Sequence, residues 1–125
     1  MANEAKPLFR PGANVTAVTT AAVTGKTFVG VSATRDTDSG LVKVAPATGA
    51  AKPFGVAGYD AASGATLPVL RGGILFVTAG GAIAAGAQVE VGAGGKAVTL
   101  ASGVAVGVAL ETGTANNDVL IALDI

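Results

Sequence analysis

The chain has 125 residues, eight basic and eight acidic side chains for zero formal net charge, and neither cysteine nor histidine. That length supports one domain, or two very small ones. The missing residue types exclude a disulfide scaffold, thiolate metal sites and the Ser-His-Asp and Cys-His nucleophile systems, and no basic cluster is present to neutralise phosphates or lie on a membrane.

Taken in chain order, residues 1–12 come first, with two prolines (Pro7, Pro11), mixed charge and no apolar alternation. Proline cannot donate to a central strand ladder, so this stretch reads as an extended N-terminal arm. It has no apolar core of the kind a signal peptide needs, and a soluble protein made in the cytoplasm is the expectation. Strands are predicted over residues 14–19, 27–33, 41–45, 53–59, 66–71 and 73–78, then 87–91, 97–100, 105–111 and 118–123. Val, Ile, Thr and Phe dominate these segments and alternate with small or polar residues, as a half-buried pleated surface requires. Turn signals separate them: Thr24-Gly25-Lys26, Asp38-Ser39-Gly40, Ala62-Ser63-Gly64, Gly92-Ala93-Gly94-Gly95 and Asn116-Asn117-Asp118. The alanines within 79–86 suit one short helical turn. Residues 72–89 carry no charge, but five glycines make them a poor membrane span. The fold class expected is all-β, a compact barrel or sandwich of short strands over 13–125 as a single domain.

An internal duplication is also indicated. Phe54-Gly55-Val56-Ala57 aligns with Val106-Gly107-Val108-Ala109, and without gaps Leu67 and Val69 then fall on Val119 and Ile121. Upstream, Val42-Lys43-Val44 matches Val89-Glu90-Val91 if the second copy has a longer loop, giving three-strand repeat units at about 41–71 and 87–123.

Residues for catalysis, cofactor binding or metal binding are not identified, and the chain is not expected to be an enzyme. Paired carboxylates can serve a glycosidase, but Asp36, Asp38, Asp60, Glu90, Glu111 and Asp118 all lie beside predicted turns or alternate outward on strands, so they read as solvated. Asp36-Thr37-Asp38-Ser39-Gly40 opens like a calcium loop but lacks the third ligand and the distal bidentate Glu. Gly92-Ala93-Gly94-Gly95-Lys96-Ala97 lacks the phosphate-loop spacing and its Ser/Thr, and reads as a hairpin turn. Asn14-Val15-Thr16 is a formal glycosylation sequon with no secretion route.

Several stretches carry a resemblance. The polar arm leads into Gly12-Ala13-Asn14-Val15-Thr16 and Val23-Thr24-Gly25-Lys26, followed by Phe28-Val29-Gly30-Val31 and Phe54-Gly55-Val56-Ala57. Gly103-Val104-Ala105-Val106-Gly107-Val108-Ala109-Leu110 and a Val119-Leu120-Ile121-Ala122-Leu123 ending complete the pattern. It resembles the small Gly/Ala/Val-rich head decoration proteins, or capsid cement proteins, of tailed bacteriophages, over most of the chain. The resemblance implies a virion protein on the outer surface of an assembled capsid, with the major capsid protein as partner, often a homotrimer, and no cofactor.

The composition is compatible with that role. Half of the residues are hydrophobic and only 13% charged, against about 25% in ordinary soluble domains. The apolar content is mainly Ala and Val diluted by 19 glycines, so the core is thin and the surface short of charge. Self-association or docking on a larger surface relieves both deficits. No nucleic-acid or membrane partner is expected. Within the arm, Lys6, Pro7, Leu8, Phe9, Arg10 and Pro11 are the candidate capsid contacts, because Leu8 and Phe9 form an apolar pair held between prolines and cations. The alternatives are a phage tail or fibre component, or a small ligand- or carbohydrate-binding β module. The module would stack sugars on exposed aromatics, whereas Phe9, Phe28, Phe54, Tyr59 and Phe76 fall mostly at core-like strand positions.

Overall fold

Strict alternation decides which side chains face inward. Along the first strand Val15, Ala17 and Thr19 are buried while Asn14 and Thr16 are exposed, the period-two pattern of a sheet with one wet face. The structure is a computed structural model and describes residues 12–125. Its strands are β1 (Asn14–Thr19), β2 (Phe28–Ala33), β3 (Val42–Pro46), β4 (Gly55–Ala57) and β5 (Thr66–Leu70). After them come β6 (Gly73–Thr78), β7 (Gln88–Val91), β8 (Ala97–Thr99), β9 (Gly107–Ala109) and β10 (Asp118–Leu123). Each occupies a segment predicted as a strand, and β1, β6 and β10 coincide with theirs end to end. A single 3-10 turn, Ala93–Gly95, links β7 to β8 inside the predicted hairpin turn.

The helical turn predicted within 79–86 does not form. Ala79 and Ile83 instead make isolated bridges to Ala97 and Gly113. The Ala79 N–H donates to the Asn117 carbonyl and the Ile83 N–H to that of Gly113, so the donors a helix would use are engaged across the fold.

The first five strands form a closed barrel in the order β1-β3-β2-β4-β5, with β5 pairing back onto β1. Only β1 and β3 run parallel; the other pairs are antiparallel. Barrel and sandwich were both open from sequence, and closure leaves these strands no free edge. Ala17, Val29, Val44, Ala57, Leu67 and Val69 fill the interior. The remaining strands form a sheet in the order β6-β10-β9-β7-β8, whose outer strands meet only through the parallel bridge Ala79↔Ala97.

The pairings of the second sheet reproduce those of the barrel. Val56↔Leu70 and Ala57↔Val69 in β4–β5 reappear as Val108↔Ala122 and Ala109↔Ile121 in β9–β10. Thr16↔Pro68 in β1–β5 reappears as Phe76↔Leu120 in β6–β10. The bridge Val23↔Ala61 reappears as Ile83↔Gly113, and Thr19↔Val44 as Ala79↔Ala97. Residues 54–69 and 106–121 thus pair with the same 52-residue offset. The upstream match requires correction: β7 meets β9 through Val89↔Gly107 as β2 meets β4 through Val29↔Gly55. Residues 89–91 thus correspond to 29–31, β8 corresponds to β3, and the repeating unit has five strands rather than three. Val-x-Val alternation matches any such strand, and only hydrogen-bond register separates the candidates. Turn geometry repeats too: Lys26 adopts φ 62° where its counterpart Gly86 has 86°, and Asn116 adopts 65° where Gly64 has 82°.

The two units share a core. Val29 points into the barrel, while its neighbour Phe28 points away and joins Val56 and Ala47 in a cluster with Val77, Ile83, Val89, Val106, Val119 and Ile121 of the second unit. The Thr78 N–H donates to the Lys26 carbonyl at 2.9 Å and the Ala50 N–H to that of Val91 at 2.8 Å. Gly95, at φ 76°, lies so close that a Cβ there would sit 2.6 Å from the Phe28 carbonyl oxygen. Phe28→Ala is expected to cost about 3–5 kcal/mol through lost burial and the cavity left behind, read as a lower midpoint in urea denaturation. Gly95→Ala, which adds both a clash and a left-handed Ala, is expected to lower that midpoint as well.

Candidate functional site

Most carboxylates among the described residues are engaged as local fasteners rather than gathered at a centre. The Asp36 carboxylate accepts the Ser39 N–H at 3.1 Å and the Ser39 hydroxyl at 2.5 Å. The turn is closed by the Gly40 N–H donating to the Asp36 carbonyl, with Gly40 at φ 76°. This is a tight Asx-type turn in place of a calcium loop. Asp60 accepts the Gly25 N–H at 2.8 Å, Glu111 accepts the Leu120 N–H at 2.9 Å, and Asp118 pairs with Lys26 at 2.7 Å. Among the described residues no three His, Cys, Asp or Glu side chains come together to hold a metal.

Glu90 departs from the expectation of a solvated carboxylate. It is 5% exposed, its Oε1 accepts the Ala101 N–H at 2.7 Å, and its Oε2 has no hydrogen-bond partner. Gly103 packs against it, and a Cβ at Gly103 would collide with Oε2. Alternation puts Glu90 on the side of β7 opposite Val89 and Val91, but the loop after β8, with Ala101 and Gly103, folds over that side, a contact no local pattern encodes.

The feature with docking character is apolar. On the outer side of β6, β10 and β9, Ile74 is 63% exposed, Phe76 51%, Leu110 46% and Val108 37%. Leu120 sits opposite Phe76, and Ala122 opposite both Ile74 and Val108, so these residues form one continuous patch. Of the aromatics, expected mostly at core-like strand positions, Phe28 is buried, but Phe76 and Tyr59 are exposed. Phe54 is half-covered and carries the Arg71 guanidinium 4.7 Å above its ring. The candidate arm residues Lys6, Pro7, Leu8, Phe9, Arg10 and Pro11 lie outside the described residues. The chain enters the barrel just after them, where the Ala13 carbonyl accepts the Arg71 N–H at 2.9 Å.

The family model of the phage cement protein matches residues 9–125. The chain belongs to the phage cement protein family. Among solved structures, the chain is similar to the N base of the head fibre gp8.5 of bacteriophage phi29, at 23% identity and a TM-score of 0.73. That likeness covers 89% of this chain and 92% of the other, and it shows a shared fold. No curated protein matches the chain. A cement protein is a structural component of the virion, and this one binds the capsid at its outer surface. A continuous uncharged patch and carboxylates spent on turns suit that role, which asks for contact area and rigidity.

The two bonds from Ser39 hold the Asp36 carboxyl below the ordinary aspartate range, the side-chain hydroxyl being the larger cause. Its folded value is depressed, so whatever it contributes is present above the unfolded-state pKa and is lost as pH falls through the folded one. An NMR titration is expected to show Asp36 titrating below a free aspartate, with the amide of Ser39 shifting in step. Ser39→Ala is expected to return that titration toward the ordinary value.

Proposed function

We propose that this cement protein reinforces the assembled head by binding the major capsid protein as a homotrimer, with residues 1–12 acting as a docking arm and 13–125 as a single β domain. The observation that carries the reading is the family match, which runs from residue 9 to residue 125 and so takes in Phe9, Arg10 and Pro11 along with the whole β body. The role requires no catalysis, cofactor, nucleic acid or membrane, only many weak contacts spread across a joint between capsid subunits.

The chemistry of the arm supports its part. Pro7 and Pro11 pre-extend the segment, so ordering it costs less than the ~1–2 kcal/mol per residue of a free chain. Burial of Leu8 and Phe9 in a groove contributes about 1.5–3 kcal/mol each, and Arg10 can pair with a carboxylate at the rim while Lys6 stays solvated. Deleting residues 1–11 is expected to leave a cooperative melt near the parent temperature while weakening decoration of empty heads. Equal decoration by the truncated and full chains would move the anchor onto the β body.

Zero net charge and scattered ions leave little for long-range steering. Binding to heads is therefore expected to change by less than about tenfold between low and moderate salt, measured by co-sedimentation with purified heads. Electron microscopy of labelled particles separates this reading from a tail or fibre component, since the label must lie on the head.

A further inference from the structure

We infer that the cavity beside Gly30 on β2 is a carboxylate-binding site whose occupant is an acidic side chain of the capsid subunit. The chemistry of the site is read in free protein, while its occupant rests on the capsid binding proposed above.

The second unit shows the same place with a carboxylate in it. Gly30 pairs with Ala45 as Glu90 pairs with Val98. The Ala47 N–H donates to the Phe28 carbonyl as the Leu100 N–H donates to that of Gln88. The Phe54 N–H donates to the Val29 carbonyl as the Val106 N–H donates to that of Val89. Equivalent bonds thus bracket the loops 48–53 and 101–105, and Gly30 and Glu90 hold the same strand position beneath them. In the second unit the Glu90 side chain lies between strand and loop, 5% exposed, and its Oε1 accepts the Ala101 N–H at 2.7 Å. In the first unit Gly30 brings no side chain, and a cavity of about 330 Å³ lies between strand and loop. Thr48, which follows Ala47 as Ala101 follows Leu100, lines that cavity.

The strand does not require this glycine. A Cβ at Gly30 would meet only Ala47, at 3.7 and 3.9 Å, which is ordinary van der Waals contact. What the glycine keeps is the cavity, and the lining says what enters it. Ala47, Pro53 and Phe54 give apolar walls that suit methylene groups. Lys52 is the charged residue of the lining, and Thr48 adds a hydroxyl and an N–H. Arg71, stacked 4.7 Å above the Phe54 ring and donating from Nε to the Phe54 carbonyl at 2.9 Å, adds positive charge beside the cavity. Apolar walls with a cation and neutral donors match a short aliphatic chain that ends in a carboxylate. Glu90 is held in its place by its own chain. A carboxylate arriving from another molecule must leave water, and Lys52 offsets that cost. A single ion pair of this kind leaves the salt dependence of head binding small.

Butyrate reproduces a glutamate side chain from its α-carbon outward, and butyramide is its neutral counterpart. Each is titrated into the full chain at constant ionic strength, with backbone amides followed by NMR. Saturable shifts centred on Thr48, Ala51 and Lys52 are expected with butyrate and not with butyramide. Gly30→Glu gives the first unit the carboxylate that the second already carries, and is expected to weaken butyrate binding at least about tenfold. Lys52→Gln is expected to weaken it about threefold. Both variants are expected to keep the parent's circular dichroism and cooperative melt, and to decorate purified heads more weakly in the same order. Lys52 is exposed, so K52Q guards against a folding defect in G30E. Butyrate that shifts no amide of this loop, or shifts them equally in the parent and G30E, would overturn the site. Variants that lose butyrate but decorate heads like the parent would overturn the capsid side chain as its occupant. Failure of the parent to bind heads at all would count against the capsid reading while leaving the titration to stand.

Discussion

The outward burial of Phe28 and Val56 is the contact on which the molecule depends. A five-stranded barrel with Ala17, Val29, Val44, Ala57, Leu67 and Val69 inside has a small interior, because most of those side chains are small. The second sheet, closed by a single bridge, is no better provided. Joining them through side chains that leave the first barrel and enter the core of the second gives one cluster large enough to hold both. This is how a chain of Ala, Val and Gly overcomes the poor surface-to-volume ratio of two very small units. Gly95 is required at the joint because backbone meets backbone there, and a side chain has no room.

The same economy shapes the surface. Carboxylates hold turns: Asp36 at its own bend, Asp60 on Gly25, Glu111 on Leu120. Lys26 and Asp118 link the two units across the outside, though an exposed pair of that kind adds at most about 1 kcal/mol. On the outer side of β6, β10 and β9 what faces outward is apolar: Ile74, Phe76, Val108 and Leu110. A cement protein gains from such a surface, because contact area with a rigid neighbour, rather than a pocket, is what strengthens a shell.

Repetition within one chain also makes the molecule its own control. Where the two units differ at equivalent positions, the fold is constant and the difference carries meaning. Lys26 and Asn116 replacing glycine show that their left-handed turns are set by strand pairing, with the side chain merely tolerated. Phe28 against Gln88 marks the internal joint, and Phe76 against Thr16 marks the open face.

All ten strands were legible in the sequence, because alternation of Val, Ile and Thr between glycine-rich turns is a local signal that needs no knowledge of partners. Phe54–Ala57 and Val106–Ala109 also align without gaps, and the strands they contain pair with equivalent partners. The sequence also excluded cysteine and histidine chemistry outright and carried the cement-protein resemblance. Everything that depends on which strand lies beside which was decided only by tertiary structure. Val42–Val44 and Val29–Val31 look alike as strings, and hydrogen-bond register alone tells which one Val89–Val91 repeats. Ala79 and Ile83 have a helix former's composition, but bonds to Asn117 and Gly113 hold them extended. Phe28 and Phe76 both sit in alternating apolar strands. One is buried because the second unit packs on its side of the sheet, and the other is exposed because nothing in the described chain covers β6. Alternation assigns a side chain to a face of the sheet; whether that face meets protein or water is fixed by the packing of segments distant in sequence.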